Sequence, residues 1–496
     1  MITVSKLNES FLRVECDPDI AMELSESFSF LVDGYKYMPA YKMGRFDGYI
    51  RLFNLGKRTL PVGLFNNLKE FAQQRSYNIV TKDSKFGTPG ETAGITYSDV
   101  EKFTQTLGFD TRSKPIDVRD YQIEGVHIAL NNFRSILNSA TGSGKSLILG
   151  SICRYQTEVL NNKVLIVVPT VGLTTQMKGD FADYFQHTGW NVDENVHLIS
   201  AGADKSTNKP ITISTFQSIY KFDKDWFNQY GCIIGDEGHK VTAATIGGIF
   251  EKATEVKYKL ACTGTVHNVK CNLLNMIGLT GPVYDIALTA DLIKNKQLVP
   301  LTIKALVLDY PADICKAMKK VDYDSEIKYI VTNDKRNEFI AKLATLCKGT
   351  TLVLYRFVDL QGQLIYNKIL AKAKDRPVYF IDGAVKGSER EMMRLSANTD
   401  DNVIIVASVG TTATGVNIPS IENIIFAHPT KSRFTGMQSI GRGLRLKEGK
   451  DKCTLYDISD NFTSGKKVNT TMRHLGERLK MYTQAGFTFT MTHIPF

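Results

Sequence analysis

The chain has 496 residues and a formal net charge of +10, which is too long for one ordinary core and divides into two to four domains of roughly 100–200 residues. No apolar run approaches the roughly 18–20 residues that span a bilayer, and Met1-Ile2-Thr3-Val4-Ser5-Lys6 lacks a secretory pattern, so no membrane partner and a cytoplasmic location are expected. The eight cysteines are scattered with no C-x-x-C pair, so reduced thiols and no zinc are expected, while the positive balance favours a polyanionic partner.

From the N-terminus, Tyr35-Lys36-Tyr37 through Phe53 alternates basic and aromatic residues, including Lys42 and Arg45, around Gly44 and Gly48. It reads as hairpin strands. The aromatics either stack on bases while the cations follow phosphates, or form the core of a small domain. Residues 82–91 are polar and turn-rich, which ends a first domain at 1–90. Short apolar runs then recur at Val164–Val168, Ile211–Ile213, Cys232–Ile234 and Leu260–Cys262, between segments of helical spacing, as strands buried on both faces of a parallel sheet do. This domain covers 91–287. A short helix over Thr289–Val299 stops at Pro300, and the same rhythm returns at Thr351–Tyr355, Val378–Ile381, Val403–Ala407 and Ile424–Ala427, in a domain of 288–496. The fold class is therefore α/β, with a small α+β domain ahead of two tandem parallel-sheet domains.

Ser139-Ala140-Thr141-Gly142-Ser143-Gly144-Lys145-Ser146 ends in the Gly-Lys-Ser of a phosphate-binding loop, with Ser139 in place of the first glycine. The small residues let backbone N–H groups face a β-phosphate, Lys145 neutralises the β/γ oxygens, and the Ser146 hydroxyl joins the Mg²⁺ shell. ATP and Mg²⁺ are the expected cofactors. Asp236 and Glu237 follow an apolar strand, where Asp236 would hold Mg²⁺ and Glu237 would orient and deprotonate the attacking water. In Gln438-Ser439-Ile440-Gly441-Arg442-Gly443-Leu444-Arg445, Arg442 and Arg445 are spaced by about one helical turn and suit the charge that develops on a transferring phosphoryl group. Because they belong to the other domain, ATP is expected to draw the domains together. Lys466–Tyr482 reads as a helix that either covers the strand track or closes the second domain, with Leu475, Leu479 and Tyr482 for packing and Lys466, Lys467, Arg473, His474, Arg478 and Lys480 left for nucleic acid.

The serial order of these motifs resembles the superfamily 2 helicases and translocases, with Asp236-Glu237-Gly238-His239 as the D-E-x-H box and Gln438 to Arg445 as Q-x-x-G-R-x-x-R. The resemblance implies two RecA-like domains. It also implies that Gln122, in Arg119-Asp120-Tyr121-Gln122, reads the adenine edge, and that Pro169, Thr170, Gln176 and Gln217 contact nucleic acid. His239, Thr263 and Thr265 would couple hydrolysis to strand movement; within Ala407–Pro419, Gly415 would approach the nucleotide, and Thr411 or Thr412 the strand. Thr351–Arg356 and Asp382-Gly383 match the remaining elements only loosely, so their roles stay open. Over the whole chain the arrangement is similar to the branched-DNA helicases of T-even bacteriophages. That similarity implies a monomer in the host cytoplasm acting on Holliday junctions, forks and R-loops in recombination, replication and repair. An RNA helicase, a duplex DNA translocase of the restriction-motor kind and an ATP-switched binding or annealing protein remain open on the motifs alone.

Overall fold

A computed structural model describes residues 1–32, 34–82, 91–111, 114–199, 204–237, 246–264, 270–382, 400, 402–410, 420–429, 440–441 and 443–496. They divide into two compact units: Met1–Ala140 with Gly144–Ala287, and Thr141–Ser143 with Leu288–Phe496. Among the described residues no helix is long and apolar enough to cross a membrane.

In the first unit a seven-stranded, wholly parallel sheet runs in the order Val196–Ile199, Ile211–Thr215, Val164–Val168, Cys232–Asp236, Tyr258–Thr263, Arg134–Ser139, Val283–Ala287. Every residue of Val164–Val168 is buried, because helices cover both faces and leave no solvent side for an alternating pattern. Helices Asp120–Asn131, Lys145–Glu158 and Val171–Phe185 supply one such layer through Val126, Leu130, Ile148, Ile152, Phe181 and Phe185.

The second unit repeats the plan: Val378–Ile381, Ile404–Ser408, Thr350–Tyr355, Ile421–Phe426, Cys453–Asn461, Leu301–Asp309 and Phe489–Pro495 form another seven-stranded parallel sheet. Two tandem parallel α/β sheets are the architecture expected from the apolar runs, each of which overlaps a strand, and their RecA-like plan is the one the resemblance implied. Helix Thr470–Gln484 buries Leu475 and Tyr482 as anticipated, with Leu479 partly buried against the core, and it also buries Met481 and, at 1% exposure, Arg478. Arg478 donates to both Asp457 oxygens at 2.8 Å, so this cation is a structural partner and not a nucleic-acid contact.

A smaller mixed sheet opens the first unit, in the order Thr59–Pro61, Phe11–Glu15, Ile2–Lys6, Ile79–Thr81, with only the last pair parallel. Its core of Val4, Leu12, Leu24, Leu60, Leu68 and Phe71 takes in Phe53 from the end of the basic stretch, whereas Tyr37 stays 82% exposed. The hairpin reading of that stretch is wrong over residues 35–42. Tyr35–Tyr37 is a 3₁₀ turn and Pro39–Lys42 a short helix, started by the fixed φ of Pro39; only Tyr49–Arg51 is a strand, paired with Ser29–Leu31.

The small sheet docks on the large one through a buried polar joint. Lys259 and Arg134, each 1% exposed, are register neighbours on adjacent strands. Lys259 Nζ donates to Ser10 Oγ at 2.5 Å and to the Phe250 carbonyl at 2.9 Å, while Arg134 Nη2 pairs with Glu9 Oε2 at 3.2 Å. Beside this joint Gly63 lies so close to helix Lys270–Thr280 that a Cβ would collide with the Ile277 carbonyl oxygen.

Candidate active site

Three neighbouring strands of the first large sheet, Arg134–Ser139, Tyr258–Thr263 and Cys232–Asp236, end side by side, with Thr263 opposite Asn138 and Cys262 opposite Asp236. Parallel pairing puts their carboxyl ends on one edge, the place where open α/β sheets hold ligands. Beyond Ser139 the chain runs through Ala140 and Thr141 to Gly142 and Gly144, whose φ values of +89° and +88° are left-handed and cost glycine nothing. Gly144 precedes the 14-residue helix Lys145–Glu158 with no side-chain cap, and Ser146 stands half-buried in its first turn. Such a helix start attracts phosphate through its donors and its dipole.

Gln122 is buried in the first turn of helix Asp120–Asn131, where its Oε1 accepts from the Arg119 N–H at 3.0 Å. A Cβ on Gly144 would run into Gln122 Nε2, so the glutamine side chain abuts the phosphate loop. Arg119 in turn donates to the Tyr121 hydroxyl at 2.8 Å. The R-x-Y-Q element and the Gly-Lys-Ser element, separate in sequence, thus meet.

Lys145 Nζ stands 3.6 Å from Glu237 Oε1, with both side chains more than four-fifths buried. Glu237 reaches this position with a left-handed φ of +54°, while its N–H donates to Asp236 Oδ1 at 2.9 Å. A non-glycine residue in that region stores a small strain, which functional sites often hold. Burial alone pushes the Lys145 ammonium down, but Glu237 and Asp236 outweigh it and its pKa lies above the ordinary lysine value. Cys262 beside them is pushed up to about 12, by burial first, so it is an inert thiol. Thr263 is fully buried at the end of its strand. The Ser146 hydroxyl and the Asp236 carboxylate are oxygen donors of the kind a hard cation such as Mg²⁺ takes.

On the same edge, Val168 pairs with Thr215, so Pro169 and Thr170 emerge beside the turn that carries Gln217. Pro169 is buried, Thr170 and Gln176 are half-buried and Gln217 is exposed. Lys42 and Arg45 are exposed with Tyr37 and Tyr41 around them. In the second unit Arg445 is half-buried just past the helical residues 440, 441 and 443, and its carbonyl accepts from Lys450 Nζ at 3.0 Å. Thr265, His239, Thr411, Thr412, Gly415, Gln438 and Arg442 lie outside the described residues. Sequence reasoning did not find the Arg134, Lys259 and Glu9 joint, nor the fully buried pair of the second unit in which Arg336 Nε donates to Asp460 Oδ1 at 2.8 Å; neither belongs to a motif or has a local signal.

Three families match parts of the chain: "DNA helicase UvsW, N-terminal" over residues 2–82, "Type III restriction enzyme, res subunit" over 115–268, and "Helicase conserved C-terminal domain" over 335–447. The ATP-dependent DNA helicase uvsW of Enterobacteria phage T4 is 31% identical over 501 residues, covering 97% of both chains. The crystal structure of T4 UvsW superposes with a TM-score of 0.53 at 30% identity, over 100% of this chain and 99% of that one. A type ISP restriction-modification enzyme, LlaBIII bound to DNA, has a TM-score of 0.57 at 14% identity over 86% of this chain and 34% of its own, a likeness of fold alone.

Proposed function

Since this chain belongs to the UvsW family of ATP-dependent DNA helicases, we propose that it remodels branched DNA, unwinding forks and R-loops and migrating Holliday junctions in the host cytoplasm. The observation that carries the ATPase half of this reading is the Lys145–Glu237 pair at the carboxyl ends of neighbouring parallel strands. In the nucleotide-free protein each charge satisfies the other. An arriving γ-phosphate draws Lys145 to itself, which frees Glu237 to orient water and take its proton. Ser146 and Asp236 would hold Mg²⁺, which would supply charge neutralisation for the phosphates. Gln122 reads the adenine edge beside Gly144, and the phosphate loop from Thr141 through Gly142 and Ser143 to Lys145 cradles the phosphates, with Gly415 near the nucleotide. Gln438, Arg442 and Arg445 stabilise the phosphoryl charge, an effect typically worth about 10³–10⁵ in rate for an arginine finger.

Pro169, Thr170, Gln176 and Gln217, with Thr411 and Thr412, track the strand, while His239, Thr263 and Thr265 transmit hydrolysis to it. Lys42, Arg45 and the exposed Tyr37 form an accessory surface for the junction. The exposure of Tyr37 supports this role over core packing, since a ring left in water remains free to stack on a base.

The test is steady-state ATP hydrolysis with no nucleic acid, single-stranded DNA, duplex DNA, a four-way DNA junction and matched RNA at one salt concentration. The strongest stimulation is expected from the junction. Stimulation by RNA alone would move the function to RNA unwinding, and no stimulation by any polymer would overturn the motor.

A further inference from the structure

The second unit holds a polar cluster that the motifs leave unused. His428 lies two residues beyond strand Ile421–Phe426 and precedes the Gln438–Arg445 motif in sequence. It is 3% exposed, and among the described residues neither ring nitrogen has a hydrogen-bond partner. A buried donor or acceptor left unmade is one of the more expensive features a core can keep, and such groups in native structures call for a reason. Burial first, and then Arg356, Arg336, Arg478 and His474, push the imidazole pKa down to about 3. The ring is therefore neutral, with one N–H and one lone pair, both unmet.

Its neighbours suggest what would satisfy it. Arg336 and Arg478 are already neutralised by Asp460 and Asp457, whereas Arg356 is exposed just past strand Thr350–Tyr355. That strand pairs with Ile421–Phe426, so Arg356 and His428 leave adjacent strands at the carboxyl edge. The Phe357 ring meets the imidazole edge-on at 5.5 Å. A hydrogen-bond bridge joins the two exits: the Arg356 N–H donates to Gln361 Oε1 at 3.2 Å, and Gln361 Nε2 donates to the Ala427 carbonyl at 2.9 Å. Gln361 is fully buried within the π-helical turn Val358–Gly362, a local geometry that concentrates at functional sites.

We propose that His428 is a positioning residue whose unmet hydrogen bonds keep the second unit in a costly resting arrangement until a nucleic-acid backbone phosphate is held at Arg356. The phosphate shifts the Arg356 exit, the Gln361 bridge carries the shift to Ala427, and the imidazole N–H gains an acceptor. Nucleic-acid-stimulated ATP hydrolysis depends on that satisfied state of the His428 ring. This rests on the helicase reading above.

His428→Phe keeps the ring against Phe357 and removes both nitrogens. Its melting temperature by far-UV circular dichroism is expected to rise, while DNA-stimulated kcat falls at least five-fold with KM for ATP within two-fold of the parent. His428→Asn, which retains a donor, recovers part of kcat. Gln361→Met lowers kcat similarly, and the double variant His428→Phe with Gln361→Met is no slower than the worse single, because both break one path. A stimulated kcat within two-fold of the parent in His428→Phe overturns the proposal. So does a kcat loss that comes with a lowered melting temperature, or additive losses in the double variant. If the parent itself shows no stimulation by DNA, the helicase reading fails and this proposal falls with it; a stimulated parent with an unaffected His428→Phe overturns the proposal alone.

Discussion

Asp460→Ala is the substitution whose cost follows most directly from the second sheet. Asp460 and Arg336 are fully buried, and Arg336 Nε donates to the two carboxylate oxygens at 2.8 and 3.1 Å. Without the carboxylate the guanidinium keeps only its 2.8 Å bond to the Ala427 carbonyl, and the Tyr310 hydroxyl loses its 3.0 Å acceptor. Removing one partner of a buried pair costs about 3–5 kcal/mol, because the other charge is left without compensation. A domain is stable by only about 5–15 kcal/mol, so this is a large share of the unit's stability. With a urea slope of about 3 kcal/mol per molar, the midpoint should fall by about 1–2 M. The assay separates the units, since both tryptophans, Trp190 and Trp226, lie in the first. Far-UV circular dichroism should show the shift while tryptophan fluorescence does not. Arg336→Met with Asp460→Asn, which removes the charge and keeps an acceptor for Tyr310, should recover about half of the loss. A midpoint shift below about 0.3 M, or a fluorescence midpoint that moves as far as the dichroism, would refute the reasoning.

Lys145→Ala and Glu237→Gln should each abolish ATP hydrolysis while Glu237→Gln still binds ATP and DNA, and turnover at the parent rate in either would remove these residues from the chemistry. Lys259 is held well below the usual lysine pKa, by burial first and then by Arg134, so between that lowered value and about 10.4 the unfolded chain binds more protons than the native one. Stability of the first unit, followed by fluorescence in urea, should therefore rise with pH across this window by at most about 1.4 kcal/mol per unit, and Lys259→Met should flatten the rise; an equal slope in the variant would contradict it. Gly63→Ala should cost about 1–3 kcal/mol or more, because the Ile277 carbonyl is backbone and cannot rotate away, and an unchanged melting temperature would show that the two sheets dock differently.

Much of this protein could be read from its residues because the decisive signals are local. Gly142-Ser143-Gly144-Lys145-Ser146 is contiguous, and the backbone turn it forms depends only on glycines free to take positive φ. Val164–Val168 reads as a strand because a parallel sheet covered on both faces demands unbroken apolar residues, and the recurrence of that run foretold two sheets. The stretch at 35–42 misled because alternation of cations and aromatics is no guide where neither face is buried, and Pro39 decides the backbone there. Arg134, Lys259, Arg336 and Arg478 look in sequence like solvated charges interrupting strands and helices. Their burial rests on partners far along the chain, such as Ser10 for Lys259 and Asp460 for Arg336. A charge leaves water only when a distant group compensates it, and tertiary packing alone decides which group that is.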